Sequence, residues 1–209
     1  MTEGLRIRVF CVDDHPLLRE GIAMLINNQP DMVVVAQAST AKEAVEGFGQ
    51  HRPDVVLMDI RLPDMSGIDA MSAICREFPD ARVIMLTTSE GDVEIQRALA
   101  AGARGYMLKS MPPKSVVEAI RQVHAGKKRI PAEIASHLAE HYSDEPITAR
   151  EIEVLQQIAG GNRNRDIAEK LFISEETVKA HIKHIMEKLG ASDRTQAVTI
   201  AVRRGIIYL

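Results

Sequence analysis

Apolar runs and amphipathic stretches take turns along the first 125 or so residues. The runs at 6–12 (RIRVFCV), 32–38 (MVVVAQA), 54–58 (DVVLM), 81–87 (ARVIMLT) and 103–109 (ARGYMLK) are rich in Val, Ile, Leu and Met and do not alternate strictly with polar residues. Continuous runs of this kind suit strands covered on both faces, as in a parallel sheet. Between and after them, 16–28, 41–50, 66–78, 91–101 and 113–125 carry apolar residues at helical spacing. Five strands alternating with five helices predict a doubly wound α/β domain with a five-stranded parallel sheet. Right-handed crossovers place its helices on both faces.

The pattern changes after residue 126. GKKRIPAEIASHLAEHYSDEP (126–146) is polar, opens on a basic cluster and has a proline near each end. Ile134, Leu138 and Tyr142 are spaced as one face of a short helix, so 127–146 reads as a linker containing a helical segment. Residues 147–209 hold no strand-like run, and four helices fit. Thr148 with Glu151 forms a capping box opening a helix over about 148–159, which GGN (160–162) ends. A second spans about 164–171. Ser174 caps a third over about 175–189, stopped by Gly190, and Asp193 caps a fourth over about 193–204, stopped by Gly205. Only Phe172 to Ser174 join the second and third, which is helix-turn-helix spacing. The expected organisation is therefore 1–126 α/β, 127–146 linker and 147–209 an all-α four-helix domain.

Charge agrees with this division. Residues 146–209 carry 10 of the 26 Lys and Arg and 8 of the 29 Asp and Glu, a balance of +2 that leaves −5 for the remainder. An acidic front and a mildly basic back point to different partners. At 45% hydrophobic and 26% charged, the composition is that of an ordinary globular chain. No apolar run approaches the roughly 20 residues that span a bilayer, and acids follow the short apolar stretch of the N-terminus, so neither membrane insertion nor a signal peptide is expected. Cys11 and Cys75 lack neighbouring ligand residues and read as small core hydrophobes, which suits the cytoplasm.

The ends of the apolar runs carry the chemistry. The first is followed by Asp13 and Asp14, the third by Asp59, the fourth ends on Thr87 and Thr88, and the fifth on Lys109. In a doubly wound sheet, sites form outside the carboxyl ends of the strands. With the flavodoxin-like order 2-1-3-4-5, these side chains converge on one crevice. Three clustered carboxylates call for a hard divalent cation, and Mg²⁺ with oxygen ligands fits. A lysine ammonium and a hydroxyl add what a phosphoryl group on a nucleophilic carboxylate requires. On this reading Asp59 is tolerated because it sits at a strand end, exposed to metal and phosphate. His15 is expected to start a helix rather than to bind Mg²⁺, which prefers oxygen.

In the third C-terminal helix, Val178, Ile182, Ile185 and Leu189 form one apolar stripe. The opposite face offers Lys179, Ala180, Lys183, His184 and Glu187, with Thr177, His181 and Lys188 on a flank. Two lysines and a small residue on a helix in this position suit a DNA major groove, and Thr177 near the N-terminus suits a phosphate.

Two stretches resemble known families. VDDHP (12–16), LMDIRLPDMSG (57–67), MLTT (85–88) and GYMLKS (105–110) resemble the receiver domain of bacterial two-component response regulators. That resemblance implies that Asp59 accepts a phosphoryl group from a histidine kinase. It also implies that Asp14 and Asp59 bind Mg²⁺ directly, with Asp13 acting through water and Arg61 supplying its main-chain carbonyl. Thr87 and Lys109 would contact the phosphoryl group, and Tyr106 would be the aromatic switch. ITAREIEVLQQIAGG (147–161), NRDIAEKLFISEETVKAHIKHIMEKLGA (164–191) and DRTQAVTIAVRRGII (193–207) resemble the LuxR-type helix-turn-helix domain. There Lys179, Ala180 and Lys183 would face bases, and Asn164, Lys170, Thr177, His181 and Arg194 the DNA backbone.

Together the halves resemble the NarL/FixJ class of response regulators. The implied function is a phosphorylation-switched, sequence-specific transcription factor that pairs as a homodimer on double-stranded DNA, and not an enzyme beyond turnover of its own phosphoryl group. The alternative is a DNA-binding regulator with a degenerate receiver that needs no phosphorylation. A haloacid-dehalogenase-type phosphatase is disfavoured, because that family needs a second aspartate where Arg61 stands.

Overall fold

A computed structural model of the chain describes residues 6–88, 91–130, 135 and 145–208. The chain divides into two compact units, 1–88 with 96–135, and 89–95 with 136–209. The helical segment expected around Ile134, Leu138 and Tyr142 lies outside the described residues.

The first unit is built on five strands: β1 (Ile7–Val12), β2 (Met32–Ala38), β3 (Val55–Asp59), β4 (Val83–Thr87) and β5 (Gly105–Leu108). All pairs are parallel and the order is β2-β1-β3-β4-β5. This is the order expected from the sequence. Every residue of β3 and β4 is buried, as a strand covered on both faces requires. Side chains alternate between those faces. Val9, Cys11, Val55, Leu57, Ile84, Leu86 and Met107 pack with helices α1 (Pro16–Asn27) and α5 (Pro113–His124). On the other face lie α2 (Ala41–His51) and α3 (Gly67–Glu77), where the Phe48 and Phe78 rings sit 4.9 Å apart. Helix α4 (Asp92–Ala100) precedes β5. Burial pushes the Cys11 thiol up to about 12, so it is an inert core residue.

Local signals set the helix starts. Thr40 Oγ1 accepts the Glu43 amide at the head of α2, and Ser66 Oγ accepts the Ile68 amide at the head of α3. Helix α1 begins with a proline at its first position, where the missing amide costs nothing.

The C-terminal helices are α6 (Ala149–Ala159), α7 (Asn164–Leu171), α8 (Glu175–Leu189) and α9 (Arg194–Arg203). The capping box at Thr148 and Glu151 forms in full, Ser174 and Asp193 cap α8 and α9, and Gly190 ends α8 in the left-handed region at φ 61. Val154, Leu155, Ile158, Ile167, Val178, Ile185, Leu189, Ala197 and Ala201 form their common core. Phe172 occupies the turn between α7 and α8 at φ 56.

Candidate phosphoacceptor site and nucleic-acid interface

The parallel order brings the carboxyl ends of β1, β3, β4 and β5 side by side. Asp59 is the last residue of β3, paired in register with Leu86, and Thr87 pairs with Leu108 one step further along. Asp13 follows β1 and Lys109 follows β5. The Lys109 ammonium donates to Asp59 Oδ2 at 2.6 Å and lies 2.8 Å from Asp13 Oδ2. The Lys109 side chain is 9% exposed, and those of Asp13 and Asp59 are 2% and 3%. This corrects the expectation that Asp59 is exposed. It is buried at a strand end, and a buried lysine stands in as its counter-charge.

The electrostatics follow from that crowding. Burial pushes the Asp59 carboxyl above its usual range, although the hydrogen bond and charge of Lys109 and the Arg61 amide oppose the shift. Burial also disfavours the Lys109 cation, but its bonds to Asp13 and Asp59 outweigh this and raise its pKa. One cation between two buried acids leaves the site short of positive charge.

Asp14 is more exposed. The His15 ring nitrogen Nδ1 is 2.6 Å from Asp14 Oδ1 and 3.2 Å from Asp13 Oδ1. His15 is the residue before α1, as expected, but its ring turns back to the acids instead of capping the helix. The His15 amide donates to Asp13 Oδ1 at 2.8 Å, and Arg19 donates to the Asp13 carbonyl at 2.6 Å. Ligand atoms of Asp13, Asp14, His15 and Asp59 all lie within 4.8 Å of one another. Three hard carboxylates at this spacing can hold a divalent cation. Arg61 donates its amide to Asp59 Oδ1 at 3.2 Å. Thr87 is 1% exposed, and Tyr106 is fully buried within β5.

Two residues behind the site escaped the sequence reading. Asp64 accepts the Ala41 and Lys42 amides at 2.8 and 2.9 Å, which ties the β3–α3 loop to the head of α2 and holds its carboxyl below the usual range. A Cβ on Gly67 would stand 1.9 Å from the Asp59 carbonyl oxygen, so only glycine lets α3 start this close to the acid. An acid and a glycine in a turn look like ordinary turn formers until their partners are known.

In the second unit, α8 presents Lys179, Ala180, Lys183, His184, Glu187 and Thr177 to solvent, with His181 half-buried. Val178, Ile185 and Leu189 are buried and Ile182 half-buried, as the apolar stripe predicts. Lys179 and Lys183 have helical glutamates at 3.8 and 3.7 Å. Exposed pairs this long are weak and leave both ammonium groups available to phosphates. The Thr177 hydroxyl is 2.9 Å from Ser174 Oγ within the cap. Lys170 donates to Asn162 Oδ1 at 2.9 Å, and Arg194 to the Asn162 carbonyl at 2.9 Å. Asn164 heads α7. Lys188 has another role: half-buried, it pairs with Glu151 at 2.9 Å.

Residues 9–121 match the family model described as response regulator receiver domain, and residues 145–201 match that of bacterial regulatory proteins, luxR family. The chain is a response regulator of the NarL/FixJ class. The uncharacterized transcriptional regulatory protein YxjL of Bacillus subtilis is 42% identical, covering 97% of this chain and 98% of its own. LiaR of the same organism is 38% identical over 96% and 99%. Among solved structures, response regulator ChrA of a heme-sensing two-component system is 38% identical, covers 97% and 99%, and has a TM-score of 0.57. RcsB from Salmonella enterica serovar Typhimurium, bound to promoter P1flhDC in the presence of phosphomimetic BeF3⁻, is 25% identical, covers 93% and 97%, and has a TM-score of 0.73. This response regulator is a DNA-binding transcription regulator and not a classical enzyme, and its Asp13, Asp14 and Asp59 form an acidic cluster that could bind a metal. No helix among the described residues is long and apolar enough to cross a membrane.

Proposed function

We propose that Asp59 takes a phosphoryl group from the phosphohistidine of a partner kinase, and that the acyl phosphate switches specific DNA binding. The observation that carries this reading is the buried Asp59 carboxylate, 2.6 Å from Lys109 at the carboxyl end of a receiver sheet. An Asp59 carboxylate oxygen attacks phosphorus, the P–N bond breaks, and the leaving imidazole keeps its electron pair and takes up a proton. Lys109 then exchanges its bond with Asp59 for one to the phosphoryl oxygens.

Asp13, Asp14 and Asp59 fit a hard cation, and Mg²⁺ held there would neutralise charge that developed on the phosphoryl oxygens. The Arg61 carbonyl would complete the protein ligands. Thr87 would donate to a phosphoryl oxygen, and Tyr106 would report its movement. The same acids would support hydrolysis of the acyl phosphate, the extent of this protein's own chemistry. In the second domain, Lys179, Ala180 and Lys183 would face bases, and Asn164, Lys170, Thr177, His181 and Arg194 the backbone. The domain assignment 1–126, 127–146 and 147–209 and a cytoplasmic location belong to the same reading. Phosphorylation acts at a distance by biasing two receiver states and promoting a homodimer, so that two modest half-site affinities combine.

Intact mass spectrometry after incubation with acetyl phosphate and Mg²⁺ tests the acceptor. A single phosphoryl adduct on wild type, absent from Asp59→Asn, is expected. No adduct on wild type, or the same adduct on the variant, would overturn the assignment and favour a regulator that binds DNA without phosphorylation.

A further inference from the structure

The ring of His15 lies where packing does not require it. His15 precedes Pro16 at the head of α1, but its side chain makes no cap bond. That side chain is 67% exposed, so it adds little to the core. The ring nevertheless turns to the acids: Nδ1 is 2.6 Å from Asp14 Oδ1 and 3.2 Å from Asp13 Oδ1. The His15 amide donates to Asp13 Oδ1 at 2.8 Å, which fixes the backbone that carries the ring.

These spacings are those of ligands on one ion. Neighbouring ligands of an octahedral cation with bonds of about 2.1 Å lie about 3 Å apart, and opposite ones about 4.2 Å. One ligand atom from each of Asp13, Asp14, His15 and Asp59 falls within 4.8 Å of the other three. A single divalent cation therefore reaches all four after small shifts. Lys109 does not contend for the same atoms as the ring. It takes the Oδ2 oxygens of Asp13 and Asp59, whereas the ring faces the Oδ1 oxygens of Asp13 and Asp14. Ligation uses the Nδ1 lone pair of the neutral ring, whose proton then sits on Nε2; the ring is exposed enough for water to accept it.

The donor set then decides the ion. Carboxylates alone suit Mg²⁺, which gains nothing from a nitrogen and keeps its waters. An imidazole suits borderline transition ions, and the affinity it adds grows in the order Mn²⁺, Co²⁺, Ni²⁺. We propose that His15 is a nitrogen ligand of this centre and gives it a preference for a divalent transition ion over Mg²⁺. The proposal rests on the reading that Asp13, Asp14 and Asp59 hold a metal, and it adds which ion they select. A transition ion held by the ring and the three acids displaces Mg²⁺ from the phosphoacceptor centre.

The test is isothermal titration calorimetry of the untagged full chain with Mg²⁺, Mn²⁺ and Co²⁺ at one pH, on wild type, His15→Ala and Asp59→Asn. Electron spin-echo spectra of the Mn²⁺-loaded proteins detect nitrogen bonded to the ion. His15 is exposed and caps nothing, so His15→Ala should fold, which melting curves check. Expected is a loss in His15→Ala of about tenfold or more for Co²⁺, less for Mn²⁺ and within about twofold for Mg²⁺. Asp59→Asn should weaken all three ions. Imidazole nitrogen coupling should appear in wild type and vanish in His15→Ala. Equal losses for all three ions in His15→Ala would show a ring that only positions the acids, and would overturn the proposal. So would bound Mn²⁺ without nitrogen coupling in wild type while Asp59→Asn still weakens it, which leaves the acids as a metal site. A wild type that binds none of the ions, or binds them unchanged in both variants, would overturn the metal reading and the proposal with it.

Discussion

Glu151 and Lys188 test how the DNA-binding domain holds helix α8. The Glu151 side chain is 4% exposed and that of Lys188 11%, with 2.9 Å between their charged atoms. Glu151 Oε2 also accepts the Thr148 amide at 2.8 Å and its hydroxyl at 2.9 Å, while Lys188 reaches the Pro146 carbonyl and Glu145 at 3.2 Å. The pair thus links the head of α6 to the last turn of α8. Glu151→Ala removes a capping box worth about 1 kcal/mol. It also breaks a pair whose loss costs about 3–5 kcal/mol when fully buried. Lys188 keeps Glu145 and some solvent, which reduces the second loss to about 2 kcal/mol, for a total near 3. At about 4–8 °C per kcal/mol for a small domain, the C-terminal transition should fall by about 12–24 °C in calorimetry of the full chain. Glu151→Gln keeps an acceptor for Thr148 and should lose about half as much.

The same pair sets a pH dependence. Burial raises the Glu151 carboxyl, but the Thr148 amide, the Lys188 ammonium and the Thr148 hydroxyl outweigh it and hold the pKa below its usual 4.5. A depressed carboxyl pKa gives stability that is present above the unfolded value and lost as pH falls through the folded one. The gap between wild type and Glu151→Gln should therefore be full above about pH 4.5 and close below it. A Glu151→Ala variant that melts within about 3 °C of wild type, or a gap that does not change with pH, would refute the reasoning.

Other expectations concern the receiver and the DNA face. Gly67→Ala forces a methyl against the Asp59 carbonyl oxygen and should cost about 1–3 kcal/mol with slower phosphoryl uptake, read by denaturant melts and adduct formation. Lys109→Met leaves Asp13 and Asp59 without their cation, so the receiver should lose about 3–5 kcal/mol and recover part of it with Mg²⁺, measured by thermal melts with and without the metal. Lys183→Ala and Lys179→Ala should each weaken DNA binding; a phosphate-contacting lysine lowers the salt slope by about 1, whereas a base-contacting one relaxes sequence preference.

The site was legible where it depends on strand ends. Asp13, Asp59, Thr87 and Lys109 could be brought together from sequence because buried parallel strands show as apolar runs, and the strand order then makes their ends neighbours. The caps at Thr148, Ser174 and Asp193 were legible because a cap is local. Tertiary partners were not. Asp64, Gly67 and Lys188 each depend on a group that only the fold brings near: the head of α2, the Asp59 carbonyl and Glu151. The burial of Asp59 was misjudged for the same reason, since a strand end is exposed only if nothing covers it, and here Lys109 does.

The central claim is that chemistry at Asp59 controls DNA binding. Its most direct measurement is the affinity of the full chain for DNA sites selected from a random pool, with and without beryllofluoride and Mg²⁺, for wild type and Asp59→Asn. Tighter, salt-dependent and sequence-specific binding by beryllofluoride-treated wild type alone is expected. Equal affinity in all four states would contradict the account and leave a DNA-binding regulator whose receiver does not switch it.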